Sequence, residues 1–272
     1  KLADNKMTAN ISLSDLLNKK LSVRSVITKE ADNYKLQLDP KEFYLMNNHW
    51  GIAEDNYIKF GKQGFLIHNL FMKHAQSEVN ISSVNDKFND DLQINIDNFK
   101  LDDISLIFEK DSSLLKGDLY ANVLLKRVNN SYGIIAEAFV NSLVVRNVPI
   151  GNLAVKTNNP SSDRFDVDVK LTGDDNNMTA SGFFIPNGGE NSIRINSDIQ
   201  SLSMKTVEAF SMGQITEASG ILKGKILIAG KTNEPEVTGE LVFDNVFMNP
   251  AYLNNRIGLK HQTIQVKPDG IY

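Results

Sequence analysis

The chain has 272 residues, a net charge of −4 and no cysteine. That length suits one large domain or two ordinary ones. The missing cysteine excludes disulfides, thiol chemistry and cysteine-based zinc sites, and the slightly acidic balance argues against bulk affinity for nucleic acid or an anionic membrane, a local basic patch aside.

The opening residues, KLADNKMTANISLSDLL, carry no charged-then-apolar leader, and no stretch reaches the ~18 apolar residues of a membrane-spanning helix. Residues 1–49 read as lead-in strands and turns, with one turn of helix around Ser14–Leu21. Trp50 begins WGIAEDNYIKF, whose aromatics suit core or interface packing better than a carbohydrate platform. Next comes FLIHNLFM from Phe65. His68 and His74 stand six apart, so a single strand would put both on one face, but no carboxylate or cysteine cluster completes a metal site. His49 and His261 are isolated.

From here the period is two. Leu92, Ile94 and Ile96 alternate with polar residues, and so do Ile104, Leu106 and Phe108, then Leu119, Ala121, Val123 and Leu125. The clearest strand is Arg164–Thr172: Phe165, Val167, Val169 and Leu171 face one way, and Arg164, Asp166, Asp168, Lys170 and Thr172 the other. That is a strand with one wet side. The phase returns in Met178, Ala180, Gly182 and Phe184, in Ile193 and Ile195, and in Ile226 and Ile228. Turn clusters separate these runs at Asn129-Asn130, Asn158-Asn159-Pro160, Asp174–Asn177, Pro186–Gly189 and Pro268–Gly270. Asp174–Asn177 has oxygens enough for calcium but lacks the EF-hand glycine and distal glutamate, so it reads as a plain turn. Ser203–Phe210 is the best helix, with Ser203 as N-cap and Gly213 near its end. The final IQVKPDGIY is strand–turn–strand broken off, so the chain is expected to be a segment of a longer protein.

Short strands and turns in such number mean an all-β, mostly antiparallel fold with one or two short helices. Repetition adds to this. FLIHNLFM, LVVRNVPI from Leu143 and LVFDNVFM from Leu241 share three apolar residues, a polar one, an asparagine (Asn69, Asn147, Asn245) and a return to apolar residues. Asparagine tolerates a left-handed or bulged backbone, which would let each strand bend there. ILIAGKTNEPEVTGEL, from Ile226, is a hairpin leading straight into the third copy. No phosphate loop, dinucleotide fingerprint, nucleophile elbow or zinc-protease helix is present, so no catalytic residue, cofactor or metal is expected.

An ordered series of motifs resembles the translocation and assembly module TamB family, the large AsmA-like proteins of Gram-negative envelopes, in its Bacteroidetes-type form. It runs from Trp50 through Asp55, Asn56, Ile58 and Phe60, then Gly64, Ile67 and Asn69, then Leu115-Lys116-Gly117-Asp118-Leu119. It ends with Ser219-Gly220-Ile221-Leu222-Lys223-Gly224 and the stretch from Gly230 through Pro235, Val237 and Gly239 to Leu241. The resemblance covers residues 50–272. It implies one continuous, repeat-like segment over 1–272: a long curved sheet rolled into a β-taco whose concave face is a hydrophobic groove. It further implies a non-enzymatic parent protein anchored in the inner membrane, crossing the periplasm to an outer-membrane barrel of the Omp85 kind and conducting phospholipid. An alternative is assistance in the assembly and translocation of outer-membrane proteins by β-augmentation, and a third is a structural array at the cell surface.

The residues independently require that a sheet with one long apolar face bury it, either on itself as a sandwich or around an apolar ligand in a groove. Both remain open at this stage. The expected lining of a groove is Leu119, Ala121, Val123, Leu125, Phe165, Val167, Val169, Leu171, Ile226, Ile228, Leu241 and Phe243, with Gly117, Gly182 and Gly239 as bending points.

Overall fold

The computed structural model describes residues 2–3, 5–14, 19–108, 114–128, 131–159, 161, 163–186, 191–253 and 255–272. These residues are mostly strand, with two short helices and long antiparallel sheets that do not close into a barrel. The chain divides into two compact units, Lys1–Ala138 and Phe139–Tyr272.

The first unit begins with β1 (Leu2–Ala3), β2 (Lys6–Ser14), β3 (Lys19–Glu30), β4 (Asn33–Leu45), β5 (Asn48–His49) and β6 (Gly51–Ile52). It continues with β7 (Tyr57–Gly61), β8 (Gly64–His68), β9 (Leu70–His74), β10 (Ser77–Ser83), β11 (Leu92–Lys100), α1 (Leu101–Phe108) and β12 (Leu115–Val128). The boundary between units falls inside the next strand, β13 (Ser131–Val145). One sheet runs β1-β2-β3-β4-β7-β8, with β5 on β4, and a second ladder runs β6-β9-β10-β11-β12.

The chain changes sheet at a single residue. β8 pairs with β7 and β9 with β10, and between them stands only Asn69, at φ 42°. Its Nδ2 donates to Asp55 Oδ1 at 2.6 Å. Neighbouring Asn56 is 1% exposed. Its Nδ2 donates to the Leu38 and Ala53 carbonyls at 3.0 and 2.6 Å, and its Oδ1 accepts the Leu38 N–H at 2.9 Å. The polar residues of the Trp50 segment therefore fasten the crossing point, while Trp50 itself fills the space between the sheets. It packs in a core with Leu45, Val79 and Phe99, edged by Phe43 from β4 and Met72, Ile96 and Leu119 from the other ladder. At this place the apolar faces close on each other as a sandwich.

Two expectations need correction. Ile104, Leu106 and Phe108 belong to α1, not to a strand. Three alternating residues are too few to fix a period, since Leu101, Ile104 and Phe108 equally satisfy i, i+3, i+7 spacing, and Asp102 and Asp103 suit a helix N-terminus. The single-strand premise for His68 and His74 also fails, because the sheet change at Asn69 separates them. His68 lies between carboxylates, Nδ1 2.9 Å from Asp86 and Nε2 3.5 Å from Asp55, and His74 Nδ1 meets the His49 carbonyl at 3.0 Å. As for the helical turn near Ser14–Leu21, Ser14 ends β2 and β3 starts at Lys19, and 15–18 lie outside the described residues. The turns at Asn129-Asn130 and Asn187–Gly189 likewise lie outside them.

The second unit takes the end of β13 and adds β14 (Val148–Asn159), β15 (Phe165–Gly173), β16 (Asn176–Ile185), β17 (Ser192–Ser203) and α2 (Met204–Phe210). It ends with β18 (Ile215–Lys231), β19 (Glu234–Pro250), β20 (Ile257–Leu259), β21 (Gln262–Lys267) and β22 (Gly270–Ile271). Pairing follows chain order from β14 to β19, then β21 and β22, with β20 on β19. Arg146-Asn147 and Asp174-Asp175 both have positive φ, as two-residue hairpin turns of the primed type require, so Asp174–Asn177 is a turn. Asn245, at φ 51°, lies within β19 opposite Gly220, where the register shifts. The three motif asparagines thus share a left-handed backbone, but one switches sheets, one turns a hairpin and one makes a bulge.

Candidate functional site

Register turns the alternation of single strands into a surface. In the second unit Phe165 stands beside Phe184, then Ile193 and Gly230. The next row is Val167, Gly182, Ile195, Ile228 and Val237. Then come Val155, Val169, Ala180, Ser197, Ile226, Gly239 and Val266. A fourth row is Leu153, Leu171, Met178, Ile199, Gly224, Leu241 and Ile264. These four rows contain no ionisable group, and Ser197 is their one polar side chain. The reverse face carries Asp166, Asp168, Lys170, Arg194, Asp198, Lys225 and Glu240 in the intervening registers.

The apolar face is unevenly covered. Phe165, Val167, Val169, Ile195, Ile226 and Ile228 are half-buried. Toward the far end α2 lies on it, and Met204, Ala218, Leu222 and Val246 form a sealed cluster edged by Leu202, Leu241 and Phe243. Asn176 holds this helix in place. It is 3% exposed; its Nδ2 donates to Thr206 Oγ1 and to the Ile150 carbonyl, both at 2.9 Å, and its Oδ1 accepts the Ser203 N–H at 2.9 Å. At the other end the Glu208 carboxylate accepts the N–H groups of Glu217 and Ala218. Between α2 and the sheet is a depression of about 420 Å³ bordered by Leu171, Met178, Leu202, Thr206, Val207, Phe210 and Ser211. The Thr206 and Ser211 hydroxyls on its rim are already hydrogen-bonded within the protein.

The expected lining residues divide by place. Phe165, Val167, Val169, Leu171, Ile226, Ile228 and Leu241 share the four rows, and Phe243, opposite Leu222, follows under α2. Ala121, Val123 and Leu125 pair with Ile96, Ile94 and Leu92 in the first unit, and Leu119 pairs with Phe99 against the Trp50 core.

Of the expected bending points, Gly117 has φ 135° beside the irregular start of the β11–β12 ladder. Gly182 and Gly239 lie on the apolar face where the neighbouring backbone leaves no room. A Cβ on Gly182 would stand 1.9 Å from the Arg194 carbonyl oxygen, and one on Gly239, 2.0 Å from that of Lys225. Gly239 also has φ 149°. Gly239→Val is expected to destabilise the second unit by roughly 2–4 kcal/mol, through overpacking and backbone strain together, measured as a shifted denaturant midpoint.

Among the described residues no group of three or more metal-ligating side chains converges. Perturbed ionisable groups occur away from the apolar rows. Burial and then the Asp86 charge raise the Tyr57 phenol, and burial and then Asp102 raise the Asp103 carboxyl. No family model matches the chain, nor does any curated protein or solved structure match it significantly.

Asn176 escaped the sequence reading, where it served only as part of a turn. Apart from the Asp174 carbonyl within its own turn, its partners lie 26 to 30 residues away, and no local pattern links them.

Proposed function

We propose that this chain is a non-enzymatic lipid-conducting segment whose apolar face holds phospholipid acyl chains. One observation carries the reading: four in-register rows in Phe139–Tyr272 present an uncharged surface that is half-buried over most of its extent, Leu171 and Ile199 of the row nearest α2 being buried, and it is backed by a charged one. A water-exposed hydrocarbon surface of this extent is costly for a soluble protein, and it marks a place where apolar material binds. With no charge and only the Ser197 hydroxyl in the rows, such a site selects chains rather than headgroups. The motif series from Trp50 to Leu241 supports placing the chain in a TamB-like envelope protein. On that reading the parent is anchored in the inner membrane, lies in the periplasm and delivers phospholipid toward an Omp85-type barrel.

The test is solvent extraction of the purified protein followed by lipid mass spectrometry. Acyl lipids in stoichiometric amount, displaced by a spin-labelled fatty acid that broadens resonances of Val167, Ile195 and Ile228, are expected. A lipid-free protein that also fails to take up the labelled chain overturns the reading.

A further inference from the structure

The outer strand of the first unit's sheet is open along its edge. β2 pairs with β3 along its whole length, but on its other side β1 covers only Lys6 and Met7. From Thr8 to Ser14 no strand lies on that side among the described residues. The direction of the backbone groups there is fixed. The Asn5 carbonyl accepts the Lys29 N–H at 3.0 Å and so faces β3, and the planar peptide turns the Lys6 N–H the opposite way, toward β1. No register shift occurs before Leu13, so the N–H and C=O groups of Thr8, Asn10 and Ser12 point outward, while those of Met7, Ala9 and Ile11 face β3.

The side chains are as open as the backbone. Met7, Ile11 and Leu13 are 40, 63 and 44% exposed. They lie on the face that continues inward as Ile11, Val23 and Phe43 and as Leu13, Leu21 and Leu45. Folded proteins guard an edge of this kind with charge, proline, a bulge or shortness. Between Lys6 and Asp15 there is no ionisable residue, no proline and no glycine. The far edge of the other sheet differs. There β21 has six residues and ends at Lys267, and Gln265 exchanges both backbone bonds with Tyr272, at 2.8 and 2.9 Å.

We infer that β2 joins two copies of this chain, edge to edge and antiparallel, about a two-fold axis at Ile11. An open edge of outward N–H and C=O groups takes a strand, and the self-complementarity of β2 makes that strand the β2 of a second copy. Ile11 is the midpoint of Thr8–Ser14. Turning the strand about it sets Ala9 opposite Leu13, Asn10 opposite Ser12, and Ile11 against its own counterpart. Apolar side chains then meet apolar ones on one face, and uncharged amides and hydroxyls meet on the other. Asn10 and Ser12, whose backbone points outward, form the hydrogen-bonded pairs on both sides of the axis. Ile11 forms the non-hydrogen-bonded pair, where side chains approach most closely. In each copy the seam stops at Met7, where β1 begins, and at Ser14, where β2 ends. The contact is closed, because pairing leaves no free β2 edge. So short a seam buries less than a permanent interface, so the dimer should be reversible and concentration-dependent. It is independent of what fills the apolar rows of the second unit.

The experiment is sedimentation velocity of the full chain over a concentration series, together with cross-linking at the axis. A monomer–dimer equilibrium is expected. Ile11→Lys, which sets two like charges directly opposite each other, should weaken the dimer on the order of tenfold or more. Ser12→Pro removes an outward N–H without touching the β3 ladder and should weaken it by a similar order. Met212→Lys, at an 80%-exposed position of the other unit, should change nothing. The chain has no cysteine, so Ile11→Cys supplies a single thiol. At a non-hydrogen-bonded antiparallel pair the two Cα atoms stand about 4.5 Å apart, within disulfide reach. Mild oxidation with copper phenanthroline should therefore link Ile11→Cys into dimers on the order of tenfold or more faster than Met212→Cys. Positions 11, 12 and 212 are exposed, so unchanged thermal unfolding certifies the fold of each variant. A parent chain that stays monomeric, with no faster cross-linking at position 11, overturns the inference. A dimer insensitive to both Ile11→Lys and Ser12→Pro overturns it too, and growth beyond the dimer through this edge overturns the two-fold seam in favour of head-to-tail contact.

Discussion

Trp50→Ala is expected to destabilise the first unit by roughly 3–5 kcal/mol, the range for truncating a buried aromatic side chain. Trp50 is 2% exposed and stands among Leu45, Val79 and Phe99, with the Phe99 ring centroid at 5.6 Å. Those neighbours come from both sheets, so the indole is what they share, and a cavity at its place cannot close without moving one sheet toward the other. Its Nε1 meets no hydrogen-bond partner among the described residues, so its contribution is packing alone. Trp50→Phe should accordingly cost much less than alanine: it keeps most of the ring and removes an unsatisfied N–H whose burial costs about 1–3 kcal/mol. Urea unfolding followed by circular dichroism measures both. The chain has two compact units, so the unfolding curve is to be fitted with two transitions: Trp50→Ala should move one and Gly239→Val the other. If both substitutions moved the same single transition by the same amount, the units would unfold as one.

The strands were readable because alternation is a local property, and Arg164–Thr172 needed nothing beyond its own nine residues. The left-handed asparagines were readable too, since a polar residue interrupting three apolar ones demands a backbone exception. What each exception does was not readable. Asn69, Asn147 and Asn245 sit in octapeptides of one apolar–polar pattern, and only the pairing partner decides between sheet change, turn and bulge. The same limit hid the helix at Leu101–Phe108, where a short run satisfies both periods, and the role of Asn176, whose partners are distant in sequence. The candidate face lay between these cases. Choosing Phe165, Val167, Val169, Leu171, Ile226, Ile228 and Leu241 required only the phase within each strand. That they lie in common rows depends on register, which hairpin turns such as Asp174-Asp175 set two strands at a time. Coverage was the least legible property. Leu119 and Phe243 have the same pattern as Val167, yet they lie against packed clusters because Trp50 in one unit and α2 in the other happen to reach them.

Val167→Glu together with Ile228→Glu should empty the apolar face of acyl chains while leaving the fold intact. Both residues are in one row, separated by Gly182 and Ile195, and both are half-buried, so each carboxylate can reach water in the lipid-free protein. The unfolding cost should therefore stay near 1–3 kcal/mol in total. With an acyl chain in place the same carboxylates would lose that water without gaining a partner, at an effective cost of several kcal/mol per ion, which exceeds what a few methylenes return at about 0.8 kcal/mol each. Lipid recovered per protein should fall by about two orders of magnitude. Asp168→Asn with Lys170→Gln, on the reverse face, should leave it unchanged. The loss should also reverse on acidification: a glutamate titrating near its ordinary value of about 4.3 is neutral below that pH, so binding returns as pH falls through it and disappears again as pH rises. Full lipid content in the double variant at neutral pH would show that chains are held somewhere other than these rows. Loss of lipid in both the apolar-face and reverse-face variants would point to unfolding, which circular dichroism on the same samples separates from a direct effect.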